Sequence, residues 1–217
     1  SVTRLENFAK CAYSHFLSYG LKLREREESG FESVDMGNLY HAAIEIYSKK
    51  LAESEYSWFS IPEQVRDDFA EKAMEEAVLS FPNLSIYATA ENAHMAKRMH
   101  HIFKQTVWAL TTQVRKGRFV PNEFEVSFSK ADKLDAFSFD LEEGNHIQLK
   151  GRIDRLDTCV DDNRMYVKVI DYKSGSTKFD LLKIYHGMQL QLVVYINAAM
   201  ELEKKKHSGK EIVPGGL

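Results

Sequence analysis

The amino-acid sequence predicts an α/β fold, a core sheet with a helical region packed beside it. Three observations lead there. Apolar residues recur at helical spacing through the first half of the chain. The period then changes to alternation, with β-branched stretches between polar turns. A last apolar stretch returns to helical spacing, giving the order helices, strand meander, helix.

Each element can be justified in turn. Over residues 4–19, Leu5, Phe8, Ala9, Ala12, Phe16, Leu17 and Tyr19 mark one helical face. Residues 25–33 are polar around Gly30 and read as a loop. Leu39, Tyr40, Ala43, Ile44, Tyr47 and Leu51 give residues 37–52 a broad apolar helical face. Pro62 fits a first helical turn, predicting a helix to about residue 81, which Pro82-Asn83-Leu84-Ser85 breaks. A long helix over 89–116 follows and stops at Gly117 as a C-cap. Phe124, Val126 and Phe128 then alternate in a strand over 119–128. Residues 137–141 alternate too, before the turn signal Glu143-Gly144-Asn145. Strands over 147–156 and 165–172 flank the turn Asp161-Asp162-Asn163, and Val167-Lys168-Val169-Ile170 has the β-branched content of a buried strand. Residues 173–178 read as a loop and 181–203 as a helix. Lys204, Lys205 and Lys206 with Ser208-Gly209 form a solvated turn, and Glu211-Ile212-Val213 begins another strand. One domain over 1–217 is expected, mainly helical over 1–117, with the sheet core and following helix over 118–217.

Composition narrows the class. With 217 residues, 44% of them hydrophobic, the chain can bury a sizeable core. An aromatic share of 12% excludes a disordered chain. No apolar run reaches the roughly 18 residues of a membrane span, and the first ten residues lack the apolar segment of a signal peptide. The two distant cysteines, Cys11 and Cys159, make no disulfide scaffold and favour a reducing, cytoplasmic setting. A net charge of -3 runs against the basic excess usual in nucleic-acid binders. A local carboxylate cluster within an assembly that supplies the basic track reconciles the two. The chain begins without Met and stops at Val213-Pro214-Gly215-Gly216-Leu217, and is read as a piece of a longer protein.

The residues that carry chemistry sit at strand ends. Ile153-Asp154-Arg155 and Ile170-Asp171-Tyr172-Lys173 each place an Asp after apolar strand residues. Alternation puts Asp171 and Lys173 on one face and Tyr172 on the other, its backbone carbonyl still available as a ligand. If the two strands pair, the carboxylates of Asp154 and Asp171 converge. Two carboxylates, a carbonyl and waters make a hard-oxygen site for Mg²⁺ or Mn²⁺. Lys173 beside it can orient water or stabilise charge on a phosphate. An arbitrary Asp-x-Lys more often forms a surface salt bridge, here with Arg152, Arg155 or Lys173 as cation. The downstream Gln191 and Tyr195, four apart on one stripe of an apolar helix, are polar groups in search of partners. His41 sits on the helix over 37–52, either as a hydrogen-bonded core-edge histidine or as a ligand, with Glu45 four residues on.

Taken together, Gly37-x-x-x-His41, Gly151-Arg152-Ile153-Asp154-Arg155-Leu156-Asp157, Ile170-Asp171-Tyr172-Lys173-Ser174-Gly175 and Gln191-x-x-x-Tyr195 resemble the RecB-like branch of the PD-(D/E)XK nucleases in order and spacing. Within that branch, Arg4-Leu5-Glu6-Asn7-Phe8-Ala9-Lys10-Cys11-Ala12-Tyr13, followed by Phe16 and Tyr19-Gly20-Leu21, looks like the entry to the nuclease domain of the AddB-type components of bacterial AddAB helicase–nucleases. The resemblance covers nearly the whole chain. It implies a restriction-endonuclease-like mixed sheet flanked by helices. It implies a Mg²⁺- or Mn²⁺-dependent deoxyribonuclease, an exonuclease on single-stranded DNA ends delivered by an AddA-type helicase partner, in double-strand break repair and recombination. His41, Asp154, Asp171 and the Tyr172 carbonyl would be metal ligands, with Asp154, Asp171 and Lys173 catalytic. Gln191 and Tyr195 would support the site or touch DNA, and Glu125 matches a strand glutamate of the family. Cys11 matches the first of four cysteines that hold a 4Fe-4S cluster in the full-length family. The three others have no counterpart before Leu217, so no cluster is expected within this chain.

Other readings remain open at this level. They are a stand-alone or CRISPR-associated RecB-like exonuclease, a non-catalytic DNA-binding module that keeps the fold, and an interaction domain of unrelated fold. Loss of Asp154, Asp171 or Lys173 would mark the non-catalytic module, and all three are present.

Overall fold

The computed structural model describes residues 1–24, 33–81, 90–128, 137–140, 146–173 and 178–217. The break at 82–85, the turn at 143–145 and nearly all of the loop at 25–33 fall outside them, as do residues 174–177. Contacts divide the chain into two compact units, Ser1–Glu27 with Asn122–Leu217, and Glu28–Pro121.

The sheet-bearing unit opens with α1 (Val2–Lys10), which Ser1 caps by accepting the Arg4 N–H. At Cys11 the backbone turns extended, and the Cys11 sulfur caps α2 (Ala12–His15) by accepting the Ser14 N–H. The helix expected over 4–19 is therefore interrupted, and its last residues form a π-helical turn, Phe16–Gly20.

In the helical unit, α3 (Ser33–Ala52) packs on α4 (Glu63–Leu79), and α4 on α5 (Ala90–Arg115). Leu39, Ala43, Tyr47 and Leu51 form the buried stripe of α3, and Met74, Ala77, Met99 and Phe103 are buried on its neighbours. The Arg115 guanidinium donates to the carbonyls of Trp58 and Ile61, at 3.2 and 2.6 Å, tying the end of α5 to the segment before α4. Glu45 pairs with Lys49 at 2.6 Å.

The rest of the sheet-bearing unit is built from β1 (Val120–Phe128), β2 (Phe137–Asp140), β3 (His146–Leu149), β4 (Gly151–Asp161), β5 (Arg164–Ile170), α6 (Leu181–Tyr185), α7 (Gln191–Lys206) and β6 (Glu211–Gly216). β2 and β3 pair with each other, antiparallel. The main sheet has the order β1-β4-β5-β6, with β5 antiparallel to β4 and parallel to β6, a mixed sheet. The β4–β5 hairpin turns at Asp162 and Asn163, and Asp162 takes φ 47°, a left-handed conformation that short polar residues tolerate.

β4 is buried on both faces, from Ile153 through Thr158. On one face Leu156, Val167 and Val169 pack with Val194, Ala198, Ala199 and Leu202 of α7. On the other, Arg155 and Asp157 are fully buried and neutralise each other, Nε to Oδ1 at 2.5 Å, with Lys168 3.2 Å from Asp157. Burial works against the Arg155 charge, but Asp157 and Tyr172 outweigh it and its pKa ends above the ordinary arginine value.

Several sequence boundaries move. The strand over 147–156 is two strands, β3 and β4, because alternation cannot register a change of pairing partner between two ladders. The strand over 165–172 ends at Ile170. The helix over 181–203 is split at residues 186–190, where Gly187 and Gln189 adopt φ 76° and 56°. Lys204, Lys205 and Lys206 lie in the last turn of α7, where the helix dipole favours cations, and not in a turn beyond it. Cys159 lies within β4, not in a turn. Among the described residues no helix is long and apolar enough to cross a membrane.

Leu156 is fully buried beneath α7. Leu156→Ala should destabilise the sheet by about 2–5 kcal/mol. Hydrogen–deuterium exchange of the intact protein should show β4 and β5 amides opening sooner, and unchanged exchange would count against this core. Glu203 is also fully buried, near Lys206, Glu123 and His207. Burial lifts its carboxyl above the ordinary glutamate value, Lys206 only partly opposing this. A raised folded pKa gives stability that is present at low pH and lost as pH rises through the folded value. Glu203→Gln should therefore lose less thermal stability than the parent between acidic and neutral pH.

Candidate active site

The β4–β5 register delivers both aspartates. Arg155 lies opposite Ile170, so Asp154 comes across from Asp171, the first residue beyond β5. Residues opposite one another in an antiparallel ladder share a face, here the one that packs against α7. Asp154 is 8% exposed, and its Oδ2 accepts the backbone N–H of Tyr172 at 2.7 Å. That bond clips β4 to the residue following Asp171.

Asp171 is gripped on both oxygens. Its Oδ2 lies 2.7 Å from Lys173 Nζ, and its Oδ1 accepts from Gln191 Nε2 at 2.8 Å. Gln191 also donates to the Tyr195 hydroxyl at 3.2 Å, and its Oε1 accepts from Lys173 Nζ at 3.3 Å. The Gln191 backbone N–H, at the open first turn of α7, donates to Glu6 Oε1 of α1 at 3.1 Å. Burial raises the Tyr195 phenol pKa, and the charges of Asp171 and Asp154 add to this against the lowering bond from Gln191. Tyr195 therefore stays protonated at neutral pH. Tyr172 lies on the other face, where its hydroxyl accepts from Arg155 Nη1 at 3.3 Å and burial again holds the phenol pKa up.

Glu125, within β1, has φ 50°, a conformation that costs a non-glycine residue about 1 kcal/mol or more. Its side chain is 8% exposed and pairs with Arg152 Nε at 2.7 Å. One oxygen of Glu125 and one of Asp154 lie within 4.8 Å of each other. Oxygens that far apart can bind one hard divalent cation, whose bonds run about 2.1–2.5 Å, so this donor set fits a metal.

The structure thus joins Asp171, Lys173, Gln191 and Tyr195 in one hydrogen-bonded group, ties Asp154 to the backbone of Tyr172 next to Asp171, and sets Glu125 beside Asp154. His41 lies on α3 of the helical unit, partly buried. Cys11 is exposed between α1 and α2. Sequence reasoning missed Glu6, Phe179 and Gln189. With Asp171, Lys173 and Gln191 these line a cleft of about 450 Å³. Gly187, inside an otherwise helical pattern, was the signal for the break that places Gln189 there. Nothing local marks Glu6, which reaches Gln191 across 185 residues of chain.

A mixed sheet ending in Asp-x-Lys beside a helix that opens on Gln-x-x-x-Tyr is the restriction-endonuclease-like arrangement. The chain belongs to the PD-(D/E)XK nuclease superfamily, whose family model matches residues 1–217. It is 45% identical, over all 217 residues, to the B component of the ATP-dependent helicase/deoxyribonuclease of Lachnoclostridium phytofermentans, of which it covers 18%. The proteins of the same name from Alkaliphilus oremlandii and Alkaliphilus metalliredigens are 38% and 39% identical, with the whole chain matched and 19% of each relative covered. The chain thus spans just under a fifth of the length of these relatives, 18–19%.

Gly151 opens β4 against two aromatic rings. A Cβ there would stand 2.8 Å from Phe128 Cζ and 2.8 Å from Tyr195 Cε1. Gly151→Ala should displace Tyr195 at a cost of about 1–3 kcal/mol. A fall in thermal stability is expected, and a variant as stable as the parent would contradict this packing.

Proposed function

We propose that this chain is the metal-dependent nuclease domain of a helicase–nuclease and hydrolyses phosphodiester bonds in single-stranded DNA ends. The observation that carries the reading is the Asp171–Lys173–Gln191–Tyr195 group beside Asp154. The relatives are components of an ATP-dependent helicase/deoxyribonuclease, which supports a deoxyribonuclease that works with an ATP-driven helicase. A partner of AddA type and a place in double-strand break repair and recombination are what the sequence resemblance implies. Exonucleolytic cutting of strands produced by that partner follows from the same resemblance.

A divalent ion, Mg²⁺ or Mn²⁺, held by Asp154 and Asp171 with Glu125 and the Tyr172 carbonyl would polarise the phosphodiester and lower the pKa of a bound water. The protein's own contribution is positioning and charge. Lys173, 46% exposed on its side chain, can offer its ammonium to a phosphate oxygen or to the attacking water while anchored to Asp171. Gln191 sets the spacing of Asp171 and Lys173 by binding both. Protonated Tyr195 holds Gln191 in turn. Asp154 stays in place because Tyr172 N–H fixes one of its oxygens. In the full-length protein Cys11 would be one thiolate of a 4Fe-4S cluster. Its exposure suits that role, and one thiolate alone holds no cluster.

The test uses the full-length protein with its helicase partner and labelled single-stranded DNA. Asp154→Asn, Asp171→Ala and Lys173→Ala should each lower Mg²⁺-dependent cleavage by about 10²–10³-fold or more. Gln191→Ala should lower it by about 10–100-fold, as an outer support does. Chelation of the divalent ion should abolish cleavage. Aspartate and lysine variants that cut as well as the parent would overturn the site.

A further inference from the structure

Phe179 is 57% exposed, yet it lines the cleft that holds Asp171, Lys173 and Gln191. Scattered exposed apolar residues are ordinary. This one is held in place from both sides. The Gln189 carboxamide accepts the N–H of Asp180 through Oε1 at 3.0 Å and donates through Nε2 to the carbonyl of Lys178 at 2.9 Å. Those are the backbone groups on either side of Phe179. Gln189 thus makes with its side chain the pair of bonds that a neighbouring strand would make with its backbone. Asp180 in turn caps α6, its carboxylate accepting from the N–H groups of Leu182 and Lys183 at 3.0 and 3.4 Å. Gln189 itself holds a left-handed φ of 56°, strain that the surrounding bonds maintain. The result is a phenylalanine whose backbone is held at the wall of the cleft and whose ring is exposed there, in the cleft that Lys173 also lines. The exposed Leu181, Leu182 and Tyr185 follow it along the chain.

We propose that Phe179, presented by Gln189, is a stacking platform for one unpaired nucleobase of the strand being cut. The inference rests on the nuclease reading of this cleft and deepens it. Every base has a π face, so one aromatic ring accepts any sequence, as an exonuclease requires. Bases within a duplex are already stacked on each other, so the platform selects single strands or frayed ends. The cleft volume, about 450 Å³, falls in the range of about 300–1,000 Å³ typical of ligand pockets. Stacking one base there would fix the register of the backbone against Asp171 and Lys173. Phe179 would touch the substrate, whereas Gln189 is a positioning residue that acts through it.

The test is single-turnover cleavage by the full-length protein and its partner, on DNA strands carrying one abasic site at each position in turn. The parent should show one position, near the scissile bond, where loss of the base lowers kcat/KM by roughly tenfold. Phe179→Ala should lose about as much on the intact strand and become indifferent to the base at that position. Phe179→Trp should restore both rate and base dependence. Gln189→Ala should blunt the same positional dependence with Phe179 intact, and adding it to Phe179→Ala should cause no further loss of base dependence. A parent without a sensitive position, or a Phe179→Ala variant with the parent's contrast, overturns the platform. Asp171→Ala separates the two readings. If it is inactive while Phe179→Ala keeps the parent's contrast, the platform alone fails. If it cuts like the parent, the catalytic reading fails and takes the platform with it.

Discussion

The antiparallel register of β4 against β5 is the constraint on which the rest depends. With Arg155 opposite Ile170, the aspartates face α7 and the charged residues Arg155, Asp157 and Lys168 face the other way. A slip of one residue would turn every side chain over. It would carry Asp154 away from α7 and bring a buried arginine against Val194 and Ala199. Each face enforces the register independently. Asp157 lies directly opposite Lys168, so a slip parts that pair and turns the buried Arg155–Asp157 pair toward apolar side chains, an error of several kcal/mol. Leu156 opposite Val169 fills the apolar face. The Asp162-Asn163 turn fixes the ladder at one end, and the Asp154 bond to Tyr172 N–H fixes it at the other.

The second support is the discontinuity between α6 and α7. Gly187 and Gln189 leave helical geometry, so α7 begins at Gln191 rather than running through it. A first-turn residue has a backbone N–H with no helical partner, and Glu6 accepts that one. α1 is thereby joined to the same residue whose side chain binds Asp171, Lys173 and Tyr195. An uninterrupted helix would have spent that amide on its own backbone.

Strain is placed where the chemistry is proposed. Of the non-glycine residues with positive φ, Asp162 occupies a hairpin turn and Lys22 follows the π-helical turn, both ordinary locations. Glu125 and Gln189 instead flank the candidate site, one beside Asp154 and one lining the cleft. Left-handed backbone at such residues persists only where neighbouring contacts hold it. Arg152 does so for Glu125, and the 178–180 backbone does so for Gln189.

The sequence by itself determined the α/β class, the helices α3, α4 and α5, the β4–β5 hairpin, and which residues could carry chemistry. Periodicity, turn residues and short polar motifs are local properties, written within a few positions of the structure they specify. It did not show that residues 147–156 belong to two different sheets, since alternation looks the same whichever ladder a strand joins. Beyond the hint of Gly187 it did not show the break before Gln191, since Leu181, Tyr185, Met188 and Leu192 keep helical spacing across it. Only the tertiary structure brought Glu6 to Gln191 and stood Phe179 beside Lys173. Such contacts join positions far apart in the chain, and their geometry is fixed by the packing of α1 and α7 against the sheet rather than by any pattern along the sequence.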